Sequence, residues 1–160
     1  MATTSATITN LTQAQISALT TADIVDLTAT QVTQFSATQA SYLSATQIAK
    51  IENDDVSGLK LTSLSESQVA AFTADQTPNL GTAQISGIGA TAIDGLLTSA
   101  IAALTTNQVA ALTTAQVAGL SVTQLPKLSA DQLAKVSTAQ INSLSGTQVA
   151  ALTTDQIGYI

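Results

Sequence analysis

The chain is 160 residues long with a net charge of −6, and 105 of its residues are Ala, Thr, Leu, Ser or Gln. It contains no Cys, His, Trp or Arg, so disulfides, thiolate or imidazole metal ligands and His-activated nucleophiles are excluded. Four Lys against ten acids leave no basic patch for nucleic acid or an anionic lipid surface.

In chain order, residues 1–10 form an N-terminal cap segment without the basic and apolar stretches of a cleavable signal peptide. A period of eight then begins. Leu11, Leu19, Leu27, Phe35, Leu43 and Ile51 open six octads over residues 11–58. A five-residue unit, Leu59-Lys60-Leu61-Thr62-Ser63, shifts the phase, and twelve more octads fill the block 64–160, with Ile160 left over. No apolar run approaches the roughly 18 residues of a membrane span.

Numbering the opening Leu as position 0, this position is large and apolar in all 18 octads. Position 5 is Ile, Val or Leu in 16 of them, Ala40 and Thr77 being the exceptions. Position 1 is Ser or Thr in 14 and position 4 is Gln in 14, with Asp at Asp23 and Asp55. The consensus is L-[ST]-x-x-Q-[VI]-x-x.

The octad excludes two simple structures. In one continuous helix, eight residues turn by about 800°, so an apolar stripe would drift roughly 80° per repeat and no partner could cover it. In a strand, apolar spacings of five and three break the period of two. One short helix per octad remains. Ser or Thr followed three residues later by Gln is a capping box, with the next aliphatic residue placed to staple against position 0. Ordering eight residues costs about 1–2 kcal/mol each, which two buried aliphatic side chains cannot offset, so each octad must stack on others. The expected fold is an all-α solenoid, a superhelical rod of very short capped helices; the alternative is a β-solenoid. The predicted spine includes Leu104, Val109, Leu112, Val117, Leu120, Leu125, Leu128 and Leu133. The predicted caps are the pairs Thr105 and Gln108, Thr113 and Gln116, Ser121 and Gln124, and Ser129 and Gln132.

Charges agree with the helix reading. Eight of the ten acids lie at positions 1 to 4, and Lys50, Lys127 and Lys135 lie at position 7, as a helix dipole favours. Gly58, Gly87, Gly95 and Gly119, also at position 7, are expected as left-handed helix ends. Pro78 and Pro126 at position 6 restrict their helices to about one turn. Residues 59–63 read as a tolerated deletion, the other reading being a bend or hinge. Residues 88–104 lose caps at Gly89 and Leu97 and lose Gln at Ala92 and Ala100. They read either as one longer helix, Thr91 to Ala103, or as two decayed repeats.

No constellation for catalysis appears, and the chain is expected to be non-enzymatic, with no catalytic, cofactor-binding or metal-binding residues. Glu52-Asn53-Asp54-Asp55 is the one acidic run; a weak cation site is the alternative to the first turn of a helix. Rows of Ser and Thr raise the possibility of an ice- or glycan-binding face, but position 1 is committed to capping. The stretches LTTNQVAALTTAQVAGL (residues 104–120) and LTTDQI (152–157) resemble octapeptide arrays of large bacterial secreted and cell-surface proteins. The resemblance implies an extracellular or surface structural role: a stalk, an adhesin repeat region or a filament subunit. The partner implied is the chain itself, by end-to-end or lateral assembly, with a glycan or protein ligand as the rival. No nucleic acid, cofactor or membrane insertion is expected. The last octad ends at Tyr159-Ile160 without a polar cap, which reads either as truncation from a longer array or as self-assembly.

Overall fold

A computed structural model describes residues 8–160. Most of the N-terminal cap segment, residues 1–7, lies outside the described residues. Among the described residues there are fourteen α-helices of four to six residues, four 3-10 turns and no strand. The first helix wholly within the described residues is Gln13–Ser17 and the last is Thr154–Ile157. The fold is all-α, and the β-solenoid alternative is set aside.

Each full octad follows the same path, shown by the one that starts at Leu112. Thr113 is extended (φ −73°, ψ 159°) and begins the helix Thr114–Gly119. The Val117 amide donates to the Thr113 carbonyl, and the Leu120 amide then closes on the Val117 carbonyl at 3.2 Å. Leu120 is extended again (φ −68°, ψ 137°), which turns the chain into the next octad. Twelve helices carry the complete two-way capping box, with Ser or Thr at the N-cap. Helices this short are unstable alone and depend on packing.

Packing links octads that are three units apart. The helix Thr106–Ala110 lies against Ala130–Leu133, Thr114–Gly119 against Thr138–Ile141, and Ala29–Thr33 against the 3-10 turn Val56–Gly58. The chain therefore climbs as a solenoid around an apolar axis, and positions 0 and 5 of successive octads form a single core cluster. Leu104, Val109, Leu112, Val117, Leu120, Leu125, Leu128 and Leu133 are all buried in it. The axis between Val109 and Leu152 encloses a void of about 10 Å³ lined only by aliphatic side chains. That is too small and apolar for anything beyond one water. Val149 and Ile157, at position 5 of the octads that begin at Leu144 and Leu152, are exposed.

The two phenylalanines show how the axis keeps its volume constant. Phe35 and Phe72 occupy position 0, and both are fully buried. Their own octads are the two with a small position 5, Ala40 and Thr77, which are also fully buried. The Thr77 hydroxyl is satisfied by the Thr73 carbonyl at 2.7 Å. A larger ring is thus matched by a smaller neighbour, as close packing demands.

Two sequence expectations change, and of the two readings of residues 88–104 the pair of repeats holds. No glycine has positive φ, so Gly58, Gly87, Gly95 and Gly119 are not left-handed helix ends. Close approach explains three of them instead. A Cβ on Gly58 would lie 2.9 Å from the Thr33 amide nitrogen, and one on Gly95 or Gly119 would collide with the carbonyl of Glu66 or Ala90. Each contact joins octads three units apart. Residues 88–104 form no long helix; the 3-10 turn Ile93–Gly95 and the helix Thr98–Ala103 keep two separate repeats. Ser121 provides only half of a capping box. Its amide donates to Gln124 Oε1 at 2.8 Å, but its hydroxyl pairs with Thr123 Oγ1. Pro126 imposes a 3-10 turn over Leu125–Lys127, and the Gln124 amide closes on the Ser121 carbonyl instead.

Candidate functional site: a glutamine ladder

The chemistry that repeats along the molecule is a buried carboxamide. Gln116, 1% exposed, shows its geometry. Its Oε1 accepts from the Thr113 amide at 2.8 Å, and its own amide donates to Thr113 Oγ1 at 3.1 Å. These two bonds complete the capping box of its own helix. Its Nε2 points the other way and donates to the carbonyls of Ile85 and Ile88, both at 2.7 Å. Ile85 and Ile88 end an earlier helix, and the Ile88 carbonyl has no intrahelical partner. One side chain thus satisfies an orphan N–H at the start of one helix and the orphan Ile88 C=O at the end of another, and adds a second bond to the Ile85 carbonyl, which already accepts from the Ile88 amide.

Twelve glutamines make this link: Gln39, Gln47, Gln68, Gln76, Gln84, Gln108, Gln116, Gln124, Gln132, Gln140, Gln148 and Gln156. The reach is regular. Gln108 donates to Thr77 and Leu80, and Gln156 to Leu125 and Leu128, which lie 31 and 28 residues back. The acceptors flank the junction between the fourth and third octads before the donor, so one superhelical turn takes between three and four octads.

The five-residue unit leaves this ladder in step. Gln76 donates to Ile48 and Ile51, 28 and 25 residues back, three fewer than elsewhere. Counted in units rather than residues the link is unchanged, so residues 59–63 occupy the place of a full octad. Leu59 and Leu61 are buried and supply the two spine positions. Lys60 supplies the rung: its Nζ donates to the carbonyls of Thr33 at 2.6 Å and Phe35 at 2.9 Å. A lysine on a helix-free unit thereby reaches the same junction between octads as a glutamine on a helix. The missing helix leaves an open groove bordered by Leu59, Lys60, Ala83 and Gln84.

The other sequence candidates lie apart from the ladder. Glu52, Asn53 and Asp54 are exposed beside an open depression, and Asp55 is half-buried at the ladder position, where its short carboxylate has no proton to donate. Among the described residues no three acids converge as a metal site would require. Asp23 replaces Gln in its capping box. Its carboxylate accepts from the Thr20 hydroxyl at 2.6 Å and the Thr20 amide at 2.8 Å, and the hydroxyl bond first, then the amide, lowers its pKa. Among the described residues no helix is long and apolar enough to cross a membrane.

Sequence reasoning identified the capping glutamines but missed their second function. The signal was present: a capping box accepts Glu or Gln, yet no octad has Glu at position 4. At neutral pH an ionised carboxylate can only accept, whereas an amide accepts at one end and donates at the other.

No curated protein and no solved structure matches the chain. Residues 98–130 and 125–159 match the model of the ALTTAQ repeat. The matched segments contain seven of the ladder glutamines, and with the uninterrupted stacking they show the chain to be a repeat-array protein.

Proposed function

We propose that this chain is a non-enzymatic structural module, a stalk or spacer, or the subunit of a filament, in a bacterial surface or secreted protein. The observation that carries the reading is the ladder. Twelve of the repeats are tied by glutamine hydrogen bonds to the turn before them, so adding such a repeat extends the same structure without altering it. Nearly all position-1 hydroxyls are spent on caps, the axis is filled with apolar side chains, and neither offers a pocket. Length is then set by repeat number, and stiffness by the burial and the rungs between turns. The resemblance to bacterial surface arrays supplies the expected location.

The test is geometric. Small-angle scattering on the 160-residue protein and on versions with six octads added or removed should give a maximum dimension that changes linearly with repeat number at constant cross-section. A dimension that saturates would sink the spacer reading. Concentration-dependent light scattering and electron microscopy separate the two forms of it, since filaments grow with concentration and a spacer remains monomeric. Cell fractionation with an antibody to the repeats tests the location.

A further inference from the structure

We infer that the solenoid is two cooperative blocks that part at residues 77–88, and that this joint is created by a local loss of ladder rungs. The octads beginning at Ile88 and Leu96 carry Ala92 and Ala100 where others carry Gln. In them the N-cap amides of Gly89 and Leu97, and the carbonyls of Leu64 and Phe72 that a glutamine would reach, have no hydrogen-bond partner among the described residues. The effect is concentrated because the two octads are consecutive. A section through the chain between Gln84 and Ile85 is crossed by one rung only, from Gln108 to Thr77 at 2.8 Å and Leu80 at 2.6 Å. A section between Gln116 and Val117 is crossed by three, those of Gln124, Gln132 and Gln140. A section just after Lys60 is also crossed by three, those of Gln68, Gln76 and Gln84.

The phase shift at residues 59–63 is therefore not the weak point, because the rungs of Gln68, Gln76 and Gln84 span it. The weak point lies about 20 residues later, where the sequence keeps its period and shows no shift. Gly81 and Gly87 fall in the same segment and Gly89 directly follows it. Gly95, pressed against the Glu66 backbone, keeps the two blocks in contact, so the region is a joint and not a break. In a solenoid, stability is a sum of repeat and nearest-neighbour terms, and cooperativity divides where an interface term is smallest.

Native-state hydrogen exchange over a urea series on the intact chain reads this directly. The expected result is two sets of peptides with separate urea midpoints, divided within residues 77–88. Replacing Gln108 with Ala should widen the separation, lowering protection at the joint roughly five- to tenfold for each hydrogen bond lost. Gln132→Ala, at a section with neighbouring rungs intact, should lower the midpoint of the second block without moving the division. The double variant L97T/A100Q adds a cap and a rung across the joint and should bring the midpoints together. A single cooperative transition in the unaltered chain would overturn the proposal. So would a division at residues 59–63, or a Gln108→Ala variant whose two midpoints move by the same amount.

Discussion

At the residue scale the molecule depends on the difference between an amide and an acid. Glutamine at position 4 must accept from an N-cap amide and donate to carbonyls one turn away, as Gln116 does. Gln116→Glu would place a carboxylate against two carbonyl oxygens in a site 1% exposed, costing about 3–5 kcal/mol at neutral pH as an unpaired buried charge. Protonated Glu again has one donor and one acceptor. Its folded pKa is therefore raised above the ordinary value of about 4.3, and the lost stability should return as the pH falls through the folded pKa towards the unfolded one. Thermal melts of the variant and the unaltered protein between pH 8 and 4 should converge on the acidic side. Asp23 has the opposite sign. Its pKa is lowered by the Thr20 hydroxyl and amide, so its contribution is present above the unfolded value and is lost as pH falls through the folded one. Being only half-buried, it should give only a small slope in melts below pH 5, absent in Asp23→Asn. The axis supplies a third test. Ala40→Val should destabilise by about 1–3 kcal/mol beside Phe35, and Phe35→Leu in the same chain should recover part of that loss, measured as a double-mutant cycle in urea.

At the scale of the element, one turn of helix is held by what surrounds it rather than by its own propensity. The five-residue unit has no helix at all and still fills a place in the stack, through Leu59, Leu61 and the Lys60 rung. Lys60→Gln falls short of the carbonyls of Thr33 and Phe35, since no helix carries it forward, and Lys60→Met keeps the stem without the donors. Both should lower the urea midpoint, with a stability loss of about 1–3 kcal/mol for the lost charge-assisted bonds, while Lys135→Met should leave it unchanged. How far such elements are legible in sequence follows from where their information resides. Thr113 and Gln116 are three residues apart, and local rules suffice to read a capping box from them. The partners of Gln116 are 28 and 31 residues away, in octads nearly identical to their neighbours, and nothing in the pattern marks which octad will lie beneath. Gly119 looked like a helix end for the same reason, because its actual constraint, the Ala90 carbonyl, belongs to another turn. Lys60 was read as part of a deletion, because its function depends on unit count and not on residue count.

At the scale of the whole molecule, the unit that matters is the repeat and not the residue. Excising residues 112–119 removes one complete unit and lets every later glutamine find an equivalent acceptor. The shortened chain should keep its helical circular dichroism per residue and a cooperative melt. Excising residues 114–117 removes a cap, a rung and a spine residue together, with no lysine in reserve, and should broaden the melt. The ladder also has a direction. Every Nε2 donates towards the N-terminus, to carbonyls 25 to 31 residues earlier, and none towards residues still to come. A chain leaving the ribosome therefore presents each new octad with a finished seat and asks nothing of the portion not yet synthesised. Because the span of each link is short and constant, the search for it does not lengthen as the array grows. Repeat number can then increase through evolution without a growing kinetic penalty for reaching the native state.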